Sequence, residues 1–337
     1  MLLDSYQRQI KDLRISLTDR CNFRCFYCRS ADDNFLAPKE SILTFEEIIY
    51  LSEIFVSLGI EKIRLTGGEP LLRKDLEKLI KNLSKLKNPK SKIQNLKLKD
   101  LAITTNGFSL KNLAQDLKNA GLDRVTISLD SLQPDNFQRI TGVNKLSEVL
   151  AGIKSAQAAQ LSPVKINAVI IRGWNDTEII ALAEFARKTG VTMRFIEFMP
   201  LDSGKVWSKE KVVSGREIFR IINSRFPLTL KNKKRGGETA WNYVFADGWQ
   251  GEIGIIAPIT ESFCGHCSRI RLTADGQIRT CLFSTIEHNL RDVLRNGAKR
   301  TEIIEFIQDT VMKKEPRHYI NQNYFQPASR TMSFIGG

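Results

Sequence analysis

The stretch "RISLTDRCNFRCFYC" (residues 14–28) runs from an apolar, β-branched segment straight into three cysteines within eight positions. Cys21, Cys25 and Cys28 have the spacing C-x3-C-x2-C, so three thiolates reach one compact centre. Soft thiolates select zinc, copper(I) or iron–sulfur. A structural zinc site is four-coordinate and closed, and no fourth cysteine or histidine lies nearby. Three ligands suit a four-iron cluster with one iron left open, which puts iron–sulfur ahead of zinc. A second triplet, Cys264, Cys267 and Cys281, follows some 236 residues later with the spacing C-x2-C-x13-C. His266 raises a Cys3His zinc alternative, but its place inside the C-x2-C turn makes simultaneous ligation awkward. A second cluster with an open iron is the sharper reading.

Working outward, the first cysteine loop follows one of six short β-branched runs: 13–18, 62–66, 101–105, 124–130, 164–171 and 193–199. Amphipathic stretches separate them. The clearest spans 45–58, where Thr44 and Glu47 make a capping box and Gly59 ends the helix. Asp176 is expected to cap a helix over 177–189, with Gly190 ending it. Six such units imply right-handed crossovers and a parallel sheet. Unusual residues recur after the strands: the cysteines after the first, "GGEP" (67–70) after the second, "NG" (106–107) after the third, "DS" (130–131) after the fourth and "MP" (199–200) after the sixth. In parallel barrels chemistry gathers at the C-terminal mouths of the strands. That recurrence favours an α/β fold with a partial (β/α)6 TIM-like barrel over an open doubly wound sheet. Past about residue 200 the pattern changes to a helix in "REIFRIINSRF", a loop in "KNKKRGGET", short strands near 252–256, 268–273 and 277–282, and helices near 288–296 and 300–313. The expected division is a barrel over 1–230 and a smaller α+β region over 231–337.

The 337 residues are 42% hydrophobic and 26% charged, ordinary values for a globular chain. No apolar run approaches the ~20 residues that span a bilayer, and the first residues lack a secretory signal. Six cysteines in such a chain argue against a disulfide framework, so the expected location is the cytoplasm or an equivalent reducing compartment such as a plastid. The net charge of +14 suggests an anionic partner. Lysine runs such as "KNLSKLKNPKSKIQNLKLKD" (81–100) read as solvated faces and lack the interleaved aromatics that stack bases, so neither nucleic acid nor a membrane is expected as a partner. No role for 87–100 follows from its residues. Arg269 and Arg271 in "SRIRL" alternate along a strand and share a face, which suits a phosphate or a purine edge.

The first triplet, with Tyr27 before its last cysteine and "GGEP" after the next strand, resembles the radical S-adenosylmethionine (SAM) superfamily. Over essentially the whole length, "RISLTDRCNFRCFYC", "RLTGGEPLLR", "TTNG", "SLDSL", "RFIEFMP", "FCGHCSRIRLTADGQIRTCL" and the terminal "GG" resemble the GTP 3′,8-cyclases of molybdenum cofactor biosynthesis. The resemblance implies two [4Fe-4S] clusters, SAM held on the first and GTP on the second. It implies a lyase in which a 5′-deoxyadenosyl radical takes hydrogen from C3′ of GTP, and C3′ then bonds to C8. Reduction of the resulting adduct radical by one electron, with uptake of a proton, gives 3′,8-cyclo-7,8-dihydro-GTP, which passes to the cyclic pyranopterin monophosphate synthase. It further implies an electron donor of flavodoxin or ferredoxin type and a homodimer. Carried over residue by residue, Tyr27, Gly68, Ser128 and Met199 match SAM-contacting positions. Arg14, Arg64, Thr104, Lys165, Arg269, Ile270 and Arg271 match GTP-contacting positions. The tail pair Gly336 and Gly337 matches one that reaches into the active site, and with Arg269 and Arg271 it forms the expected catalytic set, one of the arginines assisting the later reduction. Peptide-maturing radical SAM enzymes with auxiliary clusters carry more cysteines at other spacings. A basic, zinc-stabilised nucleic-acid binder leaves "GGEP" and the strand-end signals unexplained.

Overall fold

The computed structural model describes residues 1–29, 36–88, 97–201, 206–233, 235–328 and 330–336. The six expected strands form as β1 (Asp12–Ser16), β2 (Lys62–Thr66), β3 (Asp100–Thr105), β4 (Arg124–Ser128), β5 (Lys165–Ile170) and β6 (Thr192–Glu197). Six more follow: β7 (Leu228–Leu230), β8 (Trp241–Phe245), β9 (Glu252–Ile256), β10 (Arg269–Leu272), β11 (Gln277–Arg279) and β12 (His288–Asn289). All lie in one mixed, unclosed sheet of order β12-β11-β10-β1-β2-β3-β4-β5-β6-β9-β8-β7. β10 pairs parallel to β1 and β9 parallel to β6, so the later part of the chain lengthens the parallel run at both ends. Residues of β9 and β10, from opposite ends of that run, line one cavity, so the sheet curls into a partial barrel.

Strict two-residue alternation decides what the barrel contains. Leu13, Ile15, Ile63, Leu65, Ile103, Val125, Ile127, Ile166, Met193, Phe195 and Ile270 are buried in the layer between sheet and helices. Arg14, Arg64, Thr104, Ser128, Asn167, Arg194, Arg269 and Arg271 take the intervening positions and face the bore. Successive side chains on a strand point to opposite faces, so stability resides on the outer face and chemistry on the inner. Gly254 belongs to this inner set: a methyl there would come within 2.8 Å of the Arg194 side chain.

The helix Phe45–Ser57 begins at the expected capping box, with Thr44 accepting from the Glu47 amide and Glu47 from the Thr44 amide at 2.7 Å. Gly190 ends the helix Ile179–Thr189 in the left-handed region. Asp176 does not cap that helix. It sits in a 3-10 turn, and its carboxylate accepts from the Gly173 amide instead. The strand expected over 277–282 stops at Arg279, because the chain turns toward Cys281. Within 288–296, His288 and Asn289 pair as strand before the helix Leu290–Arg295. β7 and β8 were not legible as strands. β8 is half-exposed along most of its length and lacks clean alternation. Of the lysine-rich segment 87–100, residues 89–96 lie outside the described residues, while Lys87 bonds the Gly121 carbonyl and Asp123. Among the described residues no helix is long and apolar enough to cross a membrane.

Glu197, fully buried at the end of β6, closes the barrel mouth. Its carboxylate accepts from the amides of Gly215 (2.7 Å), Ile259 (2.8 Å) and Thr260 (3.0 Å), and from the Thr260 hydroxyl. One side chain thus ties β6 to the start of the helix Gly215–Arg225 and to the link that runs from β9 toward Cys264. Glu197→Ala leaves these donors unpaired and is expected to cost about 3 kcal/mol of stability, with Glu197→Gln milder. Denaturant titration followed by circular dichroism checks this, and an unchanged midpoint for the Ala variant removes the role.

Candidate active site

The first cysteine loop is built on the end of β2. The amides of Gly68 and Glu69 donate to the Thr18 and Arg20 carbonyls at 2.7 and 2.8 Å. Gly67 has φ +138°, and a methyl on Gly68 would overlap the Arg20 carbonyl. The two glycines therefore let the strand end lie directly against the loop that delivers Cys21. Glu69 accepts from Leu71, the Thr105 hydroxyl and the Asn106 amide, stitching the ends of β2 and β3 together. Burial pushes its carboxyl up to about 7. The Tyr27 phenol donates to Asp130 at 2.5 Å, while the other oxygen of Asp130 accepts from Val169. That bond fixes the cysteine loop to the ends of β4 and β5. Burial raises the Asp130 carboxyl to about 6.

Both triplets face the same space, a cavity of about 300 Å³ whose wall also includes Gly68, Ser128 and Met199. All six cysteines are free. Among the described residues no three His, Cys, Asp or Glu side chains converge closely enough to hold a single ion. This donor set does not fit mononuclear zinc, whose thiolate bonds are only about 2.3 Å long. Thiolates spread around a multi-iron cluster stand further apart, so each triplet fits a cluster better.

The two triplets differ electrostatically. Burial pushes the Cys21 and Cys28 thiols up to about 11 and about 12, and Cys25 well above its ordinary value, with Glu69 and Asp130 adding to the effect. At the second triplet burial also works upward, but His318 and Ser262 bring Cys264 down to about 6. Cys267 is lowered too, burial being outweighed by Arg269 and Lys314, whereas burial raises Cys281, with Lys314 opposing and Glu315 adding to the effect. Arg269 donates to the Cys267 Sγ at 3.4 Å. His266 is exposed at the lower mouth and takes no part in the cavity.

Between the triplets the bore is cationic. Burial holds Arg14 well below its ordinary pKa, with Arg271 and Arg269 lowering it further. It brings Arg64 and Arg194 to about 9, Arg271 to about 10 and Lys165 to about 8, each helped by a neighbouring cation. Among the described residues none of these five lies within ion-pair distance of a carboxylate. Arg64 donates instead to the hydroxyls of Thr104 (3.2 Å) and Thr126 (2.9 Å), and the Arg194 Nε is buried without a partner. Arg271 is buried and the other four are half-buried, and unpaired charge so placed is costly, so this wall suits a polyanion. Arg14, Arg64, Arg194 and Arg269 also line a second space of about 650 Å³ at the lower mouth, where Lys165 stands. Ile270 turns its side chain into the outer apolar layer, leaving only its backbone available to a ligand.

The C-terminal tail enters this cavity. Gly336 has φ +79°, its carbonyl accepts from Arg271 at 2.6 Å, and a methyl there would crowd Thr66 to 2.6 Å. Gly337 lies outside the described residues. Sequence reasoning missed Arg194, Lys314 and His318, and noted Asp130 only within the "DS" that follows the fourth strand. Arg194 carried the same signal as Arg14 and Arg64, a cation inside a β-run. Lys314 and His318 carry no local signal, because only folding brings them to the cavity.

Residues 15–186 match the Radical SAM superfamily, and residues 191–320 match the Molybdenum Cofactor Synthesis C family. Among solved structures, Streptococcus suis SuiB bound to S-adenosylmethionine is similar with a TM-score of 0.61 at 14% identity, over 97% of this chain and 75% of that one. Native anSMEcpe with bound AdoMet is similar with a TM-score of 0.58 at 14% identity, over 93% and 83%. Both show the fold. The GTP 3′,8-cyclase of Corynebacterium glutamicum (strain R) is 43% identical over 100% of this chain and 89% of its own length. That of Syntrophomonas wolfei is 41% identical over 100% of both, and the mitochondrial one of Arabidopsis thaliana is 42% identical over 100% and 84%. With identity of that depth running the full length of the chain, through both cysteine triplets and the cationic strands between them, the chain belongs to the GTP 3′,8-cyclase family of the radical SAM superfamily.

Proposed function

We propose that this chain converts GTP to 3′,8-cyclo-7,8-dihydro-GTP, the first step of molybdenum cofactor biosynthesis, with SAM at the first cysteine triplet and GTP at the second. The observation that carries this assignment of the sites is the pair of open thiol triplets facing one cavity across a wall of unpaired, inward-set cations. Cys21, Cys25 and Cys28 would hold one [4Fe-4S] cluster, and Cys264, Cys267 and Cys281 the other. Together with SAM, the first cluster supplies a 5′-deoxyadenosyl radical able to take the C3′ hydrogen.

The protein's own part is aim, charge and exclusion of water. Gly67 and Gly68 seat the first loop, and the Tyr27–Asp130 bond keeps it against β4. Ser128 offers a hydroxyl and Met199 an adaptable apolar wall to SAM. Arg14, Arg64, Lys165 and Arg194 bind the triphosphate, whose charge replaces the carboxylates they lack. Thr104 keeps the Arg64 fork in place. Arg269 and Arg271 stand between the second triplet and the bore, and Arg271 anchors the tail at Gly336, closing the cavity over the substrate. No acid–base dyad is needed where a bound radical removes the hydrogen. A small acidic electron-transfer protein of flavodoxin or ferredoxin type, a homodimer and transfer of product to the pyranopterin synthase complete the reading, in a compartment that keeps the six thiols reduced.

The deciding experiment is anaerobic: the protein is reconstituted with iron and sulfide, then given dithionite, SAM and each nucleoside triphosphate in turn. GTP-dependent 5′-deoxyadenosine together with cyclised GTP is expected, and SAM cleavage indifferent to GTP overturns the substrate. Gly68→Ala is expected to displace the Asp19–Arg20 backbone and lower iron loading at the first triplet, measured as iron per chain. Lys165 gives a pH signature. Burial depresses its pKa to about 8, and a bound triphosphate raises it, so binding takes up a proton above that pH. Calorimetric affinity for GTP is therefore expected to weaken between pH 8 and 9, by up to about tenfold per unit, before Arg64 and Arg194, held at about 9, begin to contribute. In Lys165→Met affinity is lower and that slope is lost; an equal slope in both proteins sinks the assignment.

A further inference from the structure

His318 is the imidazole that faces the cavity, and it stands where no motif marks it. Both of its ring nitrogens are buried and neither makes a fully formed hydrogen bond, yet the imidazole stands close enough to Cys264 to lower its thiol. A neutral imidazole carries one N–H donor and a charged one two, and burying such a donor unpaired is unfavourable. A partner therefore belongs there in the loaded protein.

The surroundings single that partner out. Arg8, itself paired with Asp4 at 2.6 Å, donates to the Cys264 carbonyl at 2.9 Å and to the Glu315 and Pro316 carbonyls at 2.6 and 2.8 Å. One guanidinium thus clamps the Cys264 turn to the segment that carries His318. Phe283 packs edge-on against the imidazole with ring centroids 5.3 Å apart. The other two sulfurs already have donors or cations beside them. Arg269 donates to Cys267 at 3.4 Å, and Lys314, 4% exposed, is anchored on the Thr280 carbonyl next to Cys281. At the first triplet the corresponding groups are the Phe23 amide and a distant Asn106 amide on Cys21 and the Ser333 amide on Cys28, with the cations Arg24 and Arg29 set against the carboxyls of Glu69 and Asp130. Among the hydrogen bonds of the described residues, no side chain donates to Cys25 or Cys28.

We propose that His318 donates an N–H···S hydrogen bond to the Cys264 thiolate and, with Arg269 and Lys314, holds the second cluster at a higher reduction potential than the first. The inference rests on the two-cluster reading above. Hydrogen bonds and positive charge at the sulfurs stabilise the more negative, reduced cluster. His318 is a positioning and tuning residue here, not an iron ligand.

The test compares reconstituted full-length wild type, His318→Phe and His318→Gln, without GTP, by iron analysis and redox titration followed by electron paramagnetic resonance. The second cluster is identified as the signal that GTP perturbs in a parallel sample. In the Phe variant the reduced-to-oxidised ratio of that cluster at the wild-type midpoint is expected to fall about tenfold, equivalent to about 59 mV for a one-electron couple. The Gln variant, which keeps an N–H, is expected to recover most of the shift, and the first cluster stays put. An unmoved midpoint in the Phe variant, or a Gln variant shifted equally, overturns the inference. So does an unmoved midpoint accompanied by weaker GTP binding, which would assign the imidazole to guanine. Should the Phe variant fail to load iron, pulsed resonance on wild type labelled with 15N-histidine decides. A weak nitrogen coupling supports the hydrogen bond, while no coupling or the strong coupling of a direct ligand overturns it. Wild type holding about four irons instead of about eight defeats the two-cluster reading itself.

Discussion

Five cations set inward on the strands, none of them in an ion pair among the described residues, set the terms for the rest of this molecule. Arg14, Arg64, Lys165, Arg194 and Arg271 occupy inner positions of a curled parallel sheet, where an ordinary barrel is filled with branched aliphatic side chains. The bore shares its wall between these cations and apolar side chains such as Val169, Ile196 and Ile256, so it contributes less apolar core and carries repulsion as well. The outer faces of the same strands must compensate, and they do so with a nearly continuous aliphatic layer against the helices. Occupation by an anion relieves the repulsion only in the folded state, so ligand binding and folding are linked.

The same cavity presents two different settings for the same thiol chemistry. Around Cys21, Cys25 and Cys28 burial dominates, with the carboxyls of Glu69 and Asp130 set against the cations Arg24 and Arg29. Around Cys264 and Cys267 the imidazole of His318 and the cations Arg269 and Lys314 outweigh burial, while Cys281 stays raised. The two triplets thus meet different balances of burial and charge, which differentiates two otherwise similar centres. The contrast comes from backbone placement: the first loop hangs on strand ends stitched by carboxylates, whereas the second is enclosed by β10 and by the segment after the helix Arg300–Met312.

Bringing the triplets face to face depends on β9 and β10. They extend the parallel run at its two ends, and the link between them, pinned by Glu197 through Ile259 and Thr260, carries Cys264 and Cys267 across the mouth. The tail then enters from above, with Gly336 lodged between Arg271 and Thr66. A closed site is thereby assembled from segments that begin at residue 14 and end at residue 336.

The sequence by itself determined the local rules. Cysteine spacing set the ligand groups, alternation placed Arg14, Arg64, Arg269 and Arg271 on strand faces, and the capping box of Thr44 and Glu47 marked a helix start to within a residue. These features were legible because each depends on neighbours a few positions away. Only the tertiary structure decided that β9 and β10 lengthen the parallel run, that Asp176 serves a turn instead of a helix, that Ile270 points outward, and that Glu197 and Arg8 act as clamps. His318 is the clearest case, thirty-seven residues past the last cysteine in a stretch with no periodicity. A side chain's role at such a place is set by which distant backbone it meets, and that is decided by packing across the whole sheet, which no short window of sequence contains.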